Sequence, residues 1–348
     1  MDQVKSVGVI GAGSFGLALA NLIAANADVI IFSRRQDAIS KINQQLELNG
    51  ISLAPNVSGT QDLQHLCKSC TLIFQVTPSI HFRQVIRRMA PFLGPEHIII
   101  HGTKGFDLLQ DEYDAMFTYD DFTLSDVKTM SQVILEETDV ARFGALCGPN
   151  LSSEILAGLP TATVIASEYD EVIRAGHKAI SGKAFFVFGS HDVKAAELAG
   201  ALKNIIAIAS GMLGGKRMGK NTEAMLIIRG LREMILLGEV MGSNSRSFYG
   251  TPGLGDLIAT ATSTDSRNYS CGRQIAEGRT VQEIMESSQE VIEGIRSVRI
   301  ANHLIKSLRL RAPIISMIYA VLFENKGIEE SVFELMKYPL ISDVDFMK

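Results

Sequence analysis

Apolar residues recur along this chain in two rhythms. Up to about residue 192, short and nearly continuous apolar runs alternate with longer amphipathic stretches. The runs open "SVGVIGAGSFGLALANLI" (6–23) and "DVIIFSRR" (28–35), then recur in "TLIFQVTPS" (71–79), "HIIIHGTKGF" (97–106), "TATVIAS" (161–167) and "AFFVFGS" (184–190). Runs of this kind, spaced by helical segments, predict parallel strands covered on both faces. Beyond residue 192 strand signals largely vanish, and helical periodicity predicts helices over 194–213, 221–241, 267–277, 281–305 and 313–324. The expected fold is therefore α/β: a mainly parallel sheet domain over 1–192, then an all-helical domain over 193–348. The stretch 107–140 is acidic and less regular. It reads as a surface excursion, part loop and part helix, whose carboxylates form a solvated face.

The first run ends in Gly11-Ala12-Gly13-Ser14-Phe15-Gly16 and leads into a helix and a second strand. This is the strand–turn–helix–strand length of a mononucleotide-binding unit, so the N-terminal sheet is expected to be Rossmann-type. Gly11 permits the tight turn, Gly13 lets backbone approach a pyrophosphate, and Gly16 lets helix and strand pack closely. The helix N-terminus supplies N–H groups and positive dipole. A carboxylate for a ribose 2′-hydroxyl is expected at the end of the second strand in NAD-specific folds. This chain has Ser33-Arg34-Arg35 there. Guanidinium groups pair with a 2′-phosphate, so NADPH/NADP+ is the expected cofactor, with NADH/NAD+ also possible. The bland alternative is a solvated arginine pair. Ligands in such sheets lie beyond the carboxyl ends of the strands, where Thr77-Pro78-Ser79 and Lys104 fall.

Composition narrows the classes. The 348 residues are 46% hydrophobic with a net charge of −5, which argues against a nucleic-acid-binding surface and against disorder. No run reads as a membrane span or a secretory leader. Four cysteines in a chain this long form no disulfide framework and fit a reducing cytosol. "HLCKSC" places Cys67 and Cys70 in a C-x-x-C, but no second pair completes a zinc site, so no metal is expected.

The least expected residue is Lys203. In "ELAGALKNIIAIASGML" (197–213) apolar residues cover every side of a helix, Ala and Gly allow close approach, and Lys203-Asn204 sit at its centre. A buried ammonium must find a partner or lower its pKa. It is either a proton donor and acceptor or a structural, edge-snorkelling lysine. Further on, "YGTPGLGDLIATATSTDSRNYS" (249–270) places Asp256 at a helix start and Thr260 one turn later on the same face. Ser266-Arg267-Asn268 groups a hydroxyl, a guanidinium and an amide at another helix start. That trio suits a phosphate, or is an ordinary cap.

The ordered set "GAGSFG", "TKG", "GPN" (148–150), "ELAGALKNIIAIASG", "NTEAMLIIRGLREM", "GLGDLIATATSTDSRN" and "VIEGIRS" (291–297) spans nearly the whole chain. It resembles the NAD(P)-dependent glycerol-3-phosphate dehydrogenases of the soluble bacterial type. The resemblance implies reversible reduction of dihydroxyacetone phosphate to sn-glycerol 3-phosphate, a phospholipid precursor. It also implies a cytoplasmic enzyme with a small-molecule substrate, and a homodimer is possible. It makes Lys203 the general acid/base, assisted by Lys104 and Asp256. Gly148, Asn150, Asn204, Ser266, Arg267 and Asn268 would bind substrate together with those residues. Gly11, Gly13, Ser14, Phe15, Gly16, Arg34, Arg35, Lys104, Ser152, Arg267, Val291 and Glu293 would bind the dinucleotide. The chain departs from the family's usual "GPSFA" with Gly148-Pro149-Asn150-Leu151-Ser152, and "GGKRMGKN" (214–221) is unusually basic and reads as a solvated loop. Two other readings stand beside this one: a related two-domain β-hydroxyacid dehydrogenase, and a non-catalytic NADPH-sensing protein.

Overall fold

A computed structural model describes residues 6–108, 122–288 and 290–337. They belong to two compact units, one of residues 1–113 and 128–197, the other of 114–127 and 198–348. Much of the acidic stretch, 109–121, lies outside the described residues.

The first unit is built on an eight-stranded sheet. Its strands are β1 (Ser6–Ile10), β2 (Asp28–Phe32), β3 (Val57–Thr60), β4 (Leu72–Gln75), β5 (Ile98–His101), β6 (Arg142–Cys147), β7 (Thr161–Ala166) and β8 (Phe185–Ser190). They lie in the order β8-β7-β6-β5-β4-β1-β2-β3. Each neighbouring pair is parallel except β6 and β7. There the connection holds only the short helix α6 (Ser152–Leu156) and a left-handed Gly158, φ +69°, and it turns the chain back. Two strands carry little sequence signal. β3 is the small, polar "VSGT" at the sheet edge, and β6 is "RFGALC".

Alternate residues of the central strands serve opposite faces, as the pleat requires. Val7, Val9, Phe74, Ile98 and Ile100 pack with Leu17 and Ile23 of α1 (Ser14–Ala24), Ile39 and Ile42 of α2 (Gln36–Gln45), and Val172 and Ile180 of α7 (Asp170–Ile180). On the other face Ile10 and Ile73 pack with Leu66 of α3 (Leu63–Ser69) and Val85 of α4 (Ser79–Met89). Ile99 packs with Phe82 and Ile86 of α4 and Val133 of α5 (Met130–Glu137). Three of the described carboxylates, Asp107, Glu136 and Glu137, are paired with a cation, while Asp139 is exposed as expected. Arg83 on α4 donates to Asp107 at 2.8 Å, to Glu136 at 2.7 Å and to Glu137, and so binds the α5 segment to the sheet layer.

The helical unit is organised around α8 (Val193–Gly215), whose first residues belong to the sheet unit. It is long and apolar enough to cross a membrane, but 89% of that apolar window is buried inside the protein. Around it stand α9 (Lys220–Val240), α10 (Asp256–Thr262), α11 (Arg267–Ala276), α12 (Val281–Ser287), α13 (Glu293–Ser307), α14 (Pro313–Phe323) and α15 (Ile328–Lys337). The helix expected over 281–305 is two helices, because α12 ends at Ser287 and α13 starts at Glu293. Ser288 Oγ donates to the Glu290 carbonyl at 2.6 Å, a local bond that competes with helix continuation. α15 was not expected from the sequence. The basic 214–221 stretch is partly paired: Lys216 with Glu329 at 3.3 Å and Lys220 with Glu223 at 2.5 Å.

The Ala and Gly of α8 have the use their pattern implies. A Cβ on Gly211 would lie 2.0 Å from the Tyr269 carbonyl oxygen, and one on Gly272 would lie 1.9 Å from that of Ile208. α8 and α11 therefore touch backbone to backbone, which sets Asn268 beside Asn204.

Candidate active site

The sequence-predicted site residues fall into two sets, one in each unit. In the sheet unit the switch point lies between β4 and β1, where strand order reverses. Gly11 follows β1 at φ +121°, a region that disfavours any side chain, and its N–H donates to the Phe32 carbonyl. A Cβ on Gly16 would come 2.0 Å from the Gly11 carbonyl oxygen, so the turn closes only around glycine. Gly13 is the N-cap of α1, with extended backbone at φ −81° and ψ 177°. It has no side chain to cover the first-turn N–H groups, and no acidic residue stands in that turn. This cradle fits a dinucleotide pyrophosphate. Phe15 packs against Gly102, just past β5.

Arg34 and Arg35 are exposed at the end of β2. Ser33 Oγ accepts from the Arg35 N–H at 3.2 Å, and the Arg34 carbonyl accepts from Gln61. These bonds fix the backbone of the pair. Burial, and then the positive charge of Arg34, hold the His81 imidazole below its ordinary pKa. Two guanidinium groups stand at this strand end, the charge that pairs with a 2′-phosphate.

Lys104 follows β5, and its Nζ donates to the Gly148 carbonyl at 2.8 Å. Gly148 adopts φ +140° and directly follows β6, so the structure brings "TKG" and "GPN" together. Asn150 Nδ2 donates to Thr163 Oγ1 at 2.9 Å, and Thr163 donates in turn to the Cys147 carbonyl. Asn150 Oδ1 is buried and has no hydrogen-bond partner among the described residues. The departure from the usual "GPSFA" thus leaves an acceptor in place. Ser152 opens α6.

In the helical unit Lys203 is 5% exposed and Asp256 is 1% exposed. Lys203 Nζ donates to Asp256 Oδ1 at 2.6 Å and to Thr260 Oγ1, and Thr260 donates to the same carboxylate oxygen at 3.1 Å. The buried ammonium has found a carboxylate partner. Asp256 and Thr260 reach it together because they stand one turn apart on α10. Beside them Asn268 Nδ2 donates to Asn204 Oδ1 at 2.9 Å, while Asn268 Oδ1 accepts from the Gly294 N–H at 2.9 Å. That second bond fixes which way the Asn268 amide faces. Sequence reasoning did not find Gly294, whose role is carried by its backbone.

Ser266 is the N-cap of α11 and its Oγ accepts from the Tyr269 N–H, so for this hydroxyl the ordinary cap is real. Arg267, at the first position of α11, donates to the Val291 carbonyl at 3.2 Å and pairs with Glu290 at 3.1 Å. The break between α12 and α13 thus brings Val291 to Arg267, and Glu293 opens α13. Glu290 gave no sequence signal, because it meets Arg267 only through this break.

Cys67 and Cys70 are free and buried, and burial pushes their thiols up to about 11 and about 12. Burial thus works against the thiolate that redox chemistry needs. No group of three or more His, Cys, Asp or Glu side chains that could hold a metal occurs among the described residues.

A glycine cradle at a sheet switch point, with a buried lysine–carboxylate site in a separate helical unit, defines a two-unit NAD(P)-dependent dehydrogenase. Residues 6–173 match the model of the NAD-dependent glycerol-3-phosphate dehydrogenase N-terminus, and residues 192–333 match that of its C-terminus. The chain belongs to the NAD-dependent glycerol-3-phosphate dehydrogenase family, and it is an NAD(P)-dependent oxidoreductase acting on a CH–OH group. It is 37% identical to the glycerol-3-phosphate dehydrogenase [NAD(P)+] of Teredinibacter turnerae, over 99% of this chain and 98% of that protein. It is 36% identical to the protein of the same name from Citrifermentans bemidjiense, over 96% and 97%. The glycerol-3-phosphate dehydrogenase structure from Coxiella burnetii superposes with a TM-score of 0.84 at 29% identity, over 96% of this chain and 99% of that one.

Proposed function

We propose that the protein interconverts dihydroxyacetone phosphate and sn-glycerol 3-phosphate in the cytosol, with NADPH as the better reductant, and so supplies the glycerol backbone of phospholipids. The observation that carries this reading is the buried Lys203–Asp256–Thr260 cluster beside the Asn204–Asn268 pair. When bound, the nicotinamide supplies or takes up the hydride. Lys203 Nζ gives its proton to the ketone oxygen as negative charge grows there, and takes it back from the alcohol in the reverse direction. Asp256 compensates the ammonium, and together with Thr260 it holds Nζ in one place. Arg267 binds the phosphate of the substrate, a remote contact that positions the reacting carbon. Asn204 and Asn268 present amide groups to substrate oxygens. Lys104 contacts cofactor and substrate and stabilises developing charge, a contribution of about 3 kcal/mol for a well-placed donor in a dry site. Gly11, Gly13, Ser14 and Gly16 hold the pyrophosphate, and Arg34 and Arg35 the 2′-phosphate.

The competing two-domain reading, a β-hydroxyacid dehydrogenase, lacks a use for a phosphate-binding arginine at position 267. Paired assays separate the two. Dihydroxyacetone phosphate should oxidise NADPH, and free 3-hydroxy acids should leave NADP+ unreduced. The opposite pattern overturns the proposal.

A further inference from the structure

Ser210 lies beyond Lys203 on α8 by about two turns, so the two side chains leave the helix on the same face. Both meet α10. Lys203 reaches Asp256 and Thr260, and Ser210 Oγ donates to the Ala261 carbonyl at 2.7 Å. Ser210 and Ala261 are each 0% exposed. The Ser210 hydroxyl also faces Glu223 Oε1 at 3.2 Å, in the first turn of α9, and Glu223 Oε2 pairs with Lys220. One hydroxyl proton thus serves a near carbonyl and a more distant carboxyl, and it joins three helices.

α10 has only seven residues, too few to hold its shape or place alone. It follows the glycine-rich turn Thr251–Gly255, and its last carbonyls lack partners within the helix. Ala261 presents one of these carbonyls in the protein interior, where a missing donor is costly. Buried Leu257 and Ala261 set the depth at which α10 sits. They do not set its position along its own axis, because apolar contact has no direction. Hydrogen bonds do. α10 therefore has two directional anchors on α8: the Lys203 cluster, and Ser210.

We propose that Ser210 is a positioning residue for proton transfer. Its bond to the Ala261 carbonyl fixes α10 along its axis, so that Asp256 and Thr260 hold Lys203 Nζ where the reaction needs it, and Glu223 orients the hydroxyl. This rests on Lys203 being the acid and base of the reaction proposed above. A misplacement of about 1 Å costs roughly a hundredfold in rate, so loss of one of two anchors should cost about tenfold.

Steady-state reduction of dihydroxyacetone phosphate by NADPH tests this, with the full-length proteins held well below their melting temperatures. Ser210→Ala should lower kcat about tenfold, and leave KM for dihydroxyacetone phosphate and the NADPH dissociation constant within about twofold. Ser210→Cys fills the same space with a weak donor, so it should lose nearly as much. In an Asp256→Asn background the group being positioned is already lost, and Ser210→Ala should then change kcat by less than about twofold. A merely structural serine would lower the melting temperature and spare kcat, or would add its full tenfold loss to that of Asp256→Asn. Either result overturns the proposal, as does full turnover by Ser210→Cys. Urea unfolding of the wild type, both single variants and the double variant closes a second cycle that needs no turnover. Their unfolding constants should depart from simple multiplication by about fivefold, and simple multiplication overturns the proposal. A wild type that leaves dihydroxyacetone phosphate unreduced would instead overturn the functional reading, and the unfolding cycle would still decide whether Ser210 acts through Asp256.

Discussion

Lys203 Nζ lies 2.6 Å from Asp256 Oδ1, and the two side chains are 6% and 2% exposed. Removing one partner strands a charge that water cannot reach. Asp256→Ala should therefore destabilise the protein by about 3–5 kcal/mol. The double variant Lys203→Met/Asp256→Leu, which buries no charge, should recover most of that loss. Urea unfolding of the three proteins checks it. A neutral Asp256→Ala, or a double variant no better than the single, would show that the pair is not dry.

The glycine turn separates fold from binding. Gly16→Ala drives a Cβ to 2.0 Å from the Gly11 carbonyl oxygen, and overpacking of this kind costs about 1–3 kcal/mol. Gly13 has backbone dihedrals that any residue adopts. Gly13→Ala should keep its melting temperature and still lose NADPH affinity, because the new methyl stands where the pyrophosphate approaches. Thermal melts and fluorescence titration with NADPH distinguish the two variants. Equal loss of stability in both would contradict this division of labour.

Arg34 and Arg35 are exposed, so their replacement should leave stability unchanged within about 0.5 kcal/mol. Arg34→Ser with Arg35→Ser should weaken NADPH by roughly ten- to a hundredfold, the loss of charge-assisted bonds to the 2′-phosphate, and leave NADH nearly untouched. Dissociation constants for both cofactors give the answer. Parallel weakening of the two would mean that the arginines do not read the ribose.

Burial raises the Glu233 carboxyl to about 8 from 4.5, against the opposing effect of its bonds from Ile314 and Ile315 and the nearby Arg232 charge. Between pH 4.5 and about 8 the folded chain keeps a proton that the unfolded chain has released. This contribution to stability is complete below pH 4.5 and is lost as pH rises through about 8. Glu233→Gln stays neutral throughout but has only one oxygen for two N–H donors. It should be less stable than wild type at pH 5, with the gap narrowing towards pH 8.5. Denaturant midpoints across that range decide it, and parallel pH profiles would count against a protonated Glu233.

The four buried cysteines should resist thiol reagents until the chain unfolds, with Cys67 and Cys70 no faster than Cys147. Rapid labelling of the C-x-x-C pair in the native protein would reopen a redox role.

Much of this arrangement was legible because it depends on local pattern. The turn at Gly11–Gly16, the starts of α10 and α11, and the dense Ala/Gly spacing of α8 each carry a mechanism within a few residues. What stayed hidden depends on distant partners. β6 takes its identity from β5 and β7 on either side, not from "RFGALC". The Gly294 N–H on Asn268 and the Glu290 carboxylate on Arg267 arise from a helix break that apolar periodicity runs straight through. Asp107, Glu136 and Glu137 read as solvated acids until Arg83, on another helix, is placed among them.

The central claim is that the Lys203 amine moves the proton of the reaction. Steady-state reduction of dihydroxyacetone phosphate by Lys203→Met, alongside NADPH titration and a thermal melt of the same preparation, tests it most directly. We expect kcat to fall by roughly 10²–10⁴-fold, with the NADPH dissociation constant and the fold intact. Turnover within a few-fold of wild type would contradict it.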